Sequence, residues 1–353
     1  MQERRNKKMN TLTPLVDFRS LPKVELHRHL EGSLRLQTML DVARKHGMTL
    51  PASVVRLSRL VQVQDEEPLT FENFLGKFNT LRMFYRSPEV IDRITREAIE
   101  DAANDNVRYM ELRFTPVALS RAERFPIADV IDWVIASAQA GAKKFGVTVR
   151  LIASVNRHES VELAEQVAWL ASDRISKGIV GLDLAGNEAA HPAKPFLPIF
   201  KEAKQAGLFT TIHAGEWGGA QNVREAIEDF NTDRIGHGVR VVEDGYTTVL
   251  AREHGTPFEV CVTSNYQTGV VKSLAAHPIR EMIDKGLRVT LNTDDPSISQ
   301  IALSDEYRLF VDDLRLPLDL LKERIVSAMN AAFLPEGEKQ KISDTIAKEL
   351  SKK

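Results

Sequence analysis

The chain predicts an α/β fold, a TIM-type (β/α)8 barrel, and three observations carry that prediction. Short β-rich runs alternate with longer amphipathic segments, eight such runs are present, and histidines and acids cluster at the ends of several of them. Alternating strands and helices argue for βαβ units and a parallel sheet. Eight strands suit closure into a barrel, whereas doubly wound sheets are usually smaller.

The strand-like runs are 24–29, 107–114, 147–155, 179–184, 209–214, 234–238, 258–263 and 288–293. Helix-length patterns at 90–104, 128–144 and 161–172 lie between them. After the first strand, residues 34–86 form a long interruption with helical patterning and the aromatics Phe71, Phe74, Phe78, Phe84 and Tyr85. It reads as a helical insertion over the barrel mouth, where it would exclude water and shape an apolar pocket; alternatively those rings only pack its helices together. Residues 305–350 read as extra C-terminal helices completing the outer ring. Gly286 precedes the last strand, where a helix end favours a residue that tolerates positive φ.

Composition bounds the function. Of 353 residues, 43% are hydrophobic and 27% charged, and the formal net charge of -2 shows no basic excess of the kind nucleic acid attracts. The single cysteine, Cys261, excludes an intrachain disulfide and any cysteine-rich zinc site. No run approaches the ~18 apolar residues of a membrane span. Residues 1–15 carry Arg4, Arg5, Lys7 and Lys8 with no apolar core behind them, so they read as a disordered basic tail on a cytoplasmic protein. Residues 16–353 read as one domain. Partners are expected to be a small molecule, not nucleic acid or membrane; the oligomeric state is left open.

Chemistry concentrates at the strand ends. The first strand closes on His27-Arg28-His29, and residues two apart on a strand face the same side, so both imidazoles can reach one metal. The fifth ends in His213 with Glu216 three residues on, the sixth in His237, and the eighth in Asp294-Asp295. In barrels, catalytic groups come from the C-terminal ends of several strands. The other five histidines, His46, His158, His191, His254 and His277, are scattered and are read as outside any site. Nitrogen and oxygen donors without thiolate fit a catalytic zinc with an open position, and zinc brings the pKa of water from about 15.7 to about 7. Strand four holds no lysine to bridge a second ion, so one metal is expected. Plainer readings stand beside these: an aspartate of the pair could cap a helix ahead of Pro296, and Glu216 could be a first-turn helix glutamate.

Taken together, H-R-H-L-E-G-S from His27, D-L-A-G-N-E from Asp183, H-A-G-E from His213, G-H-G around His237, T-S-N from Thr263 and N-T-D-D-P from Asn292 resemble the adenosine deaminase family of the amidohydrolase superfamily. The similarity runs from Leu21 to at least Tyr307. It implies one zinc per chain on His27, His29, His213 and Asp294, and hydrolytic loss of ammonia from carbon-6 of an adenosine-type purine. It further implies that Glu216 donates a proton to nitrogen-1. His237 would orient or deprotonate the attacking water, Asp295 hold nitrogen-7, and Gly186 offer backbone to nitrogen-3. Editing deaminases of nucleic acid need P-C-x-x-C, which one cysteine forbids. One departure stands out: Glu31 occupies the place of an aspartate that contacts the ribose 5′-hydroxyl. That widens the implied substrates to free adenine and to 5′-modified adenosines such as methylthioadenosine or aminodeoxyfutalosine. Other metal-dependent amidohydrolase chemistry is the remaining alternative. Arg28 is read as a structural residue paired with a carboxylate outside the barrel.

Overall fold

The structure, a computed structural model, describes residues 16–51 and 53–352; the basic tail expected at 1–15 lies outside them. Eight strands, β1 (Lys23–His29), β2 (Val107–Phe114), β3 (Thr148–Asn156), β4 (Ile179–Ala185), β5 (Phe209–Ala214), β6 (Arg234–His237), β7 (Pro257–Val260) and β8 (Arg288–Leu291), neighbour one another in sequence order. All seven consecutive pairings are parallel. This is the expected barrel.

Closure between β8 and β1 runs through the chain just beyond β8. Asn292 Oδ1 accepts the Leu26 N–H at 2.9 Å, and Glu25 Oε1 accepts the Thr293 N–H at 2.9 Å. Main chain then takes over: the Asp294 N–H donates to His27 O at 2.9 Å and the His29 N–H to Asp294 O at 2.8 Å. Asp294 is thereby stitched directly to both β1 histidines.

Two strands stop earlier than their apolar runs suggest. β7 ends at Val260 because a helix, Val262–Gln267, begins at once. Its first amides, Val262 N–H and Thr263 N–H, donate to the buried Glu306 carboxylate at 2.9 and 3.0 Å. β8 ends at Leu291, since Asn292 and Thr293 spend their polar groups on the seam.

The insertion after β1 holds α1 (Leu36–Lys45), α2 (Val54–Val61) and α3 (Phe71–Leu81), then α4 (Pro88–Asn104) returns to the outer ring. Ser53, Thr70 and Ser87 cap the last three by accepting backbone N–H groups, the bonding that favours hydroxyls at that position. Helices Leu303–Arg308, Leu318–Asn330 and Glu336–Leu350 complete the ring. Aliphatic and aromatic side chains between strands and helices form one buried cluster.

Inside the barrel the filling is ionic. Glu259 on β7 accepts from Arg113 at 2.8 Å and from Arg234, and Arg234 also pairs with Glu111; all four are fully buried. The guanidinium of Arg234 lies 3.4 Å from the Phe333 ring centroid and donates to Ala331 O at 2.9 Å, so the segment after Leu318–Asn330 plugs the barrel floor. No helix among the described residues is long and apolar enough to cross a membrane.

Candidate active site

The C-terminal ends of β1, β5 and β6 and the segment after β8 deliver four imidazoles and two carboxylates to one place. The ring centroid of His27 lies 5.2 Å from that of His29, 4.7 Å from that of His213 and 4.8 Å from that of His237. His27 Nε2 and His29 Nε2 stand 3.2 and 3.3 Å from Asp294 Oδ1, and His237 Nε2 is 3.9 Å from Asp294 Oδ2. His237 and Asp294 both take left-handed backbone, with φ of 59° and 66°. For residues with a Cβ that costs on the order of 1–3 kcal/mol and persists only where packing over-determines it.

Buried acids set the ring tautomers. His27 Nδ1 is 2.8 Å from Glu259 Oε2, and His213 Nδ1 is 3.0 Å from Asp183 Oδ1. A carboxylate only accepts, so both Nδ1 atoms carry the proton and both Nε2 atoms present lone pairs. His27 Nε2 is buried without a hydrogen-bond partner, yet it faces an Asp294 oxygen. Two acceptors meeting at 3.2 Å call for a cation between them. Burial alone would raise the Asp294 pKa, but the close approach of His27 and the flanking imidazoles hold it well below the usual carboxylate range. His27, His213, His237 and Asp294 each offer an atom within 4.8 Å of the others, with His29 Nε2 adjoining. This nitrogen and oxygen donor set fits a single zinc ion.

His237 is held differently. The Ile279 N–H donates to His277 Nδ1 at 3.1 Å, which leaves His277 Nε2–H to donate to Asn265 Oδ1 at 3.3 Å. The Asn265 amide N–H then donates to His237 Nδ1 at 3.1 Å. Burial drives the His237 pKa far below its ordinary value, so the ring is neutral. With Nδ1 accepting, its proton sits on Nε2, 3.7 Å from Glu216 Oε2.

Glu216 rides a loop shaped by Glu188, whose carboxylate accepts the N–H groups of Gly215, Glu216 and Gly218 at 3.0, 2.6 and 2.7 Å. The next helix starts only at Ala220, so Glu216 is not a first-turn residue. Burial, with the charges of Asp294 and Glu188, pushes its pKa well up. Asp295 precedes the short helix Pro296–Ser299 but makes no side-chain cap bond; its Oδ1 is buried without a partner. Burial and the charges of Asp294, Glu31 and Glu216 raise its pKa too. Gly32 makes that position possible, since a Cβ there would fall 1.8 Å from Asp295 Oδ1.

A cavity of about 360 Å³ joins these groups, near the lower end of small-molecule sites. His29, His213, Glu216, His237, Asp294, Asp295, Glu31 and Gly186 all line it, with Phe74, Leu75 and Phe78 of α3 from above. His27 sits beneath, wholly buried. Glu31 Oε1 accepts the Thr115 N–H at 2.6 Å, while Oε2 is buried and unpartnered. Arg28 points elsewhere: its Nε donates to Ser33 Oγ at 3.1 Å, and among the described residues it pairs with no carboxylate, contrary to expectation.

Several participants escaped the sequence reading. Asp183, Glu188, Ser264 and Asn265 lay inside quoted motifs but were given no role; Ser264 Oγ donates to Asp294 Oδ2 at 2.7 Å. Glu259 had a faint signal, a lone acid in the apolar run 257–262. Of the histidines read as outside the site, His158 lines the cavity and His277 anchors the chain to His237.

Residues 22–349 match the family model described as adenosine deaminase. An adenosine deaminase of Klebsiella pneumoniae is 37% identical over 331 residues, spanning 93% of this chain and 98% of the relative. The crystal structure of adenine deaminase from Arthrobacter aurescens superposes with a TM-score of 0.86 at 26% identity, over 94% of this chain and 99% of that one. An amidohydrolase of Burkholderia ambifaria, crystallised with bound zinc, superposes with a TM-score of 0.85 at 26% identity, over 98% of each.

Proposed function

Because this chain belongs to the adenosine deaminase family, we propose that it hydrolyses the carbon-6 amino group of an adenosine-type nucleoside, releasing ammonia and an inosine-type product. The observation that carries this is Glu216: a buried acid at the cavity wall, on a loop held by Glu188, and raised in pKa beside the histidine cluster. His27, His29, His213 and Asp294 are the residues that would hold zinc. Bound there, the ion supplies water acidic enough to ionise near neutral pH.

The chain's own groups meet each demand of the reaction. Addition of the water oxygen to carbon-6 breaks ring aromaticity and moves an electron pair onto nitrogen-1. Glu216, its pKa raised by burial and nearby charge, is the acid that donates there. His237 donates through Nε2–H to the attacking oxygen, so its role is to orient that oxygen and stabilise its charge. Asp295, its pKa raised by burial and then by its acidic neighbours, is the group that would donate to nitrogen-7, a pure acceptor. Gly186, with φ of 93° at the cavity wall, offers its N–H to nitrogen-3. The carbon-6 to nitrogen bond then breaks and ammonia leaves; of the two protons of the one water consumed, one goes to the departing amine and one restores Glu216. Two carboxyls beside each other, Asp294 with a lowered and Asp295 with a raised pKa, thus divide their roles by environment.

Free adenine is the second reading, favoured by the likeness to the Arthrobacter adenine deaminase and by Glu31. The lining beyond the base, from Glu31 to α3, supports a nucleoside instead. The test is ammonia release by Glu216→Gln. We expect a fall of about 10²–10⁴-fold with one zinc per chain retained; normal turnover would remove Glu216 from the mechanism.

A further inference from the structure

Between the two histidines of β1, Arg28 carries a buried charge that no bond to an acid matches. It is 5% exposed, and neighbours on a strand face opposite sides, so it points away from the imidazoles. Its Nε donates to Ser33 Oγ at 3.1 Å; among the described residues nothing accepts from its two terminal amino groups. Arg28 and Ser33 border a second cavity, of about 520 Å³, within the range of small-molecule sites. It opens between the end of α4, the turn after β1 and the segment that follows Asp295, and it shares no lining residue with the substrate cavity.

Four acids border this cavity, and each is held elsewhere. Asp101 pairs with Arg35 at 2.6 Å. Asp105 accepts the Ser304 N–H at 2.9 Å and lies 3.7 Å from Lys23 Nζ. Asp305 accepts the Ala302 N–H at 2.9 Å. Glu25 gives Oε1 to the Thr293 N–H at 2.9 Å, and its Oε2 is shut in without a partner. Against the cost of burial, Glu25, Asp101 and Asp105 balance part of the Arg28 charge through space, but they occupy none of its remaining four N–H groups. Arg19 stands exposed at the rim and adds positive charge. Water can meet N–H groups, but it does not match a guanidinium, whose planar fork fits the paired oxygens of a carboxylate or phosphate.

We propose that Arg28, with Arg19 at the rim, forms a second ligand site, outside the barrel, for a small organic anion carrying a carboxylate or phosphate group. The oxyanion sits on the fork of Arg28, and the body of the ligand lies against Leu34, Ile301 and Leu303, apolar side chains of the same cavity. The site backs directly on the chemistry. Arg28 separates His27 from His29, and the Ser297 N–H donates to Gly32 O at 2.7 Å, joining the turn after β1 to the segment after Asp295. A bound anion therefore braces the two stretches that carry His27, His29 and Asp294.

The test is calorimetric titration of the zinc-loaded full chain with inorganic phosphate and with acetate, at an ionic strength held constant with chloride. We expect at least one of the two to bind saturably, one per chain, with a Kd of about 10 mM or tighter, the tighter of the two identifying phosphate or carboxylate as the favoured group. In Arg28→Gln that affinity should fall by about tenfold or more. A second measurement needs no variant to fold: in wild-type crystals grown with selenate, anomalous scattering should place selenium beside Arg28. Saturable binding of neither anion, an affinity unchanged in Arg28→Gln, or selenate found only elsewhere overturns the site. None of these results touches the deaminase reading, which ammonia release tests separately.

Discussion

The backbone N–H of Ile279 decides which nitrogen of His237 carries a proton. It commits His277, which commits Asn265, which leaves His237 only Nε2–H to offer the reacting oxygen. A donor there stabilises developing negative charge without changing protonation state, the kind of preorganised electrostatics that dominates many active sites. Replacing Asn265 by aspartate removes the donor and puts an acceptor opposite Nδ1, forcing the proton onto that nitrogen. We expect kcat to fall on the order of 10²-fold with KM and zinc content little changed; wild-type kcat in Asn265→Asp would show that the tautomer is irrelevant. At this scale the sequence was most legible where residues sit at strand ends, since a strand end is a position in space. It was least legible for Asn265, His277 and Glu259, whose roles exist only through partners distant in the chain.

At the scale of elements, the insertion after β1 behaves as a roof. Phe74, Leu75 and Phe78 of α3 face the cavity, and Phe71 stacks on Trp217 with ring centroids 5.0 Å apart and planes at 29°. That stack joins α3 to the loop carrying Glu216, and Arg240 holds the same loop by donating to Trp217 O at 2.8 Å. An aromatic pair contributes about 0.5–1.5 kcal/mol beyond simple burial. Phe71→Ala should therefore raise KM about 2- to 13-fold and change kcat far less, as steady-state kinetics would show; an equal loss in both would mean that the stack positions Glu216 instead of closing the pocket. The aromatics of the insertion divide in a way periodicity could not foresee. Phe84 and Tyr85 are wholly buried, while Phe74 and Phe78 line the pocket and Phe71 stacks on Trp217.

For the whole molecule, buried charge makes stability respond to pH. Burial lifts the Glu306 pKa to about 7, against the two backbone N–H bonds that would lower it. The native state then binds more protons than the unfolded chain between about 4.5 and 7. Stability from this group is fully present below the lower value and is lost as pH climbs through the upper one. The change is on the order of 3 kcal/mol at most. Urea denaturation of the zinc-loaded protein should show the wild type losing stability relative to Glu306→Gln between pH 5 and 7.5, whatever the offset between them; parallel curves would reject the raised pKa. In the same interior, Arg113 and Arg234 share Glu259 and Arg234 also pairs with Glu111, so removing any one strands a partner in the core.

The chain's own order of residues determined the barrel and the address of its chemistry. Period-two apolar runs set apart by helix-length segments leave few ways to bury both faces of a parallel sheet, and barrel geometry then brings strand ends to one rim. Tertiary structure alone decided the tautomers and the shifted acids. Each depends on which charges and dipoles lie within a few ångströms after folding. That proximity is a property of packed coordinates, and spacing along the chain does not encode it.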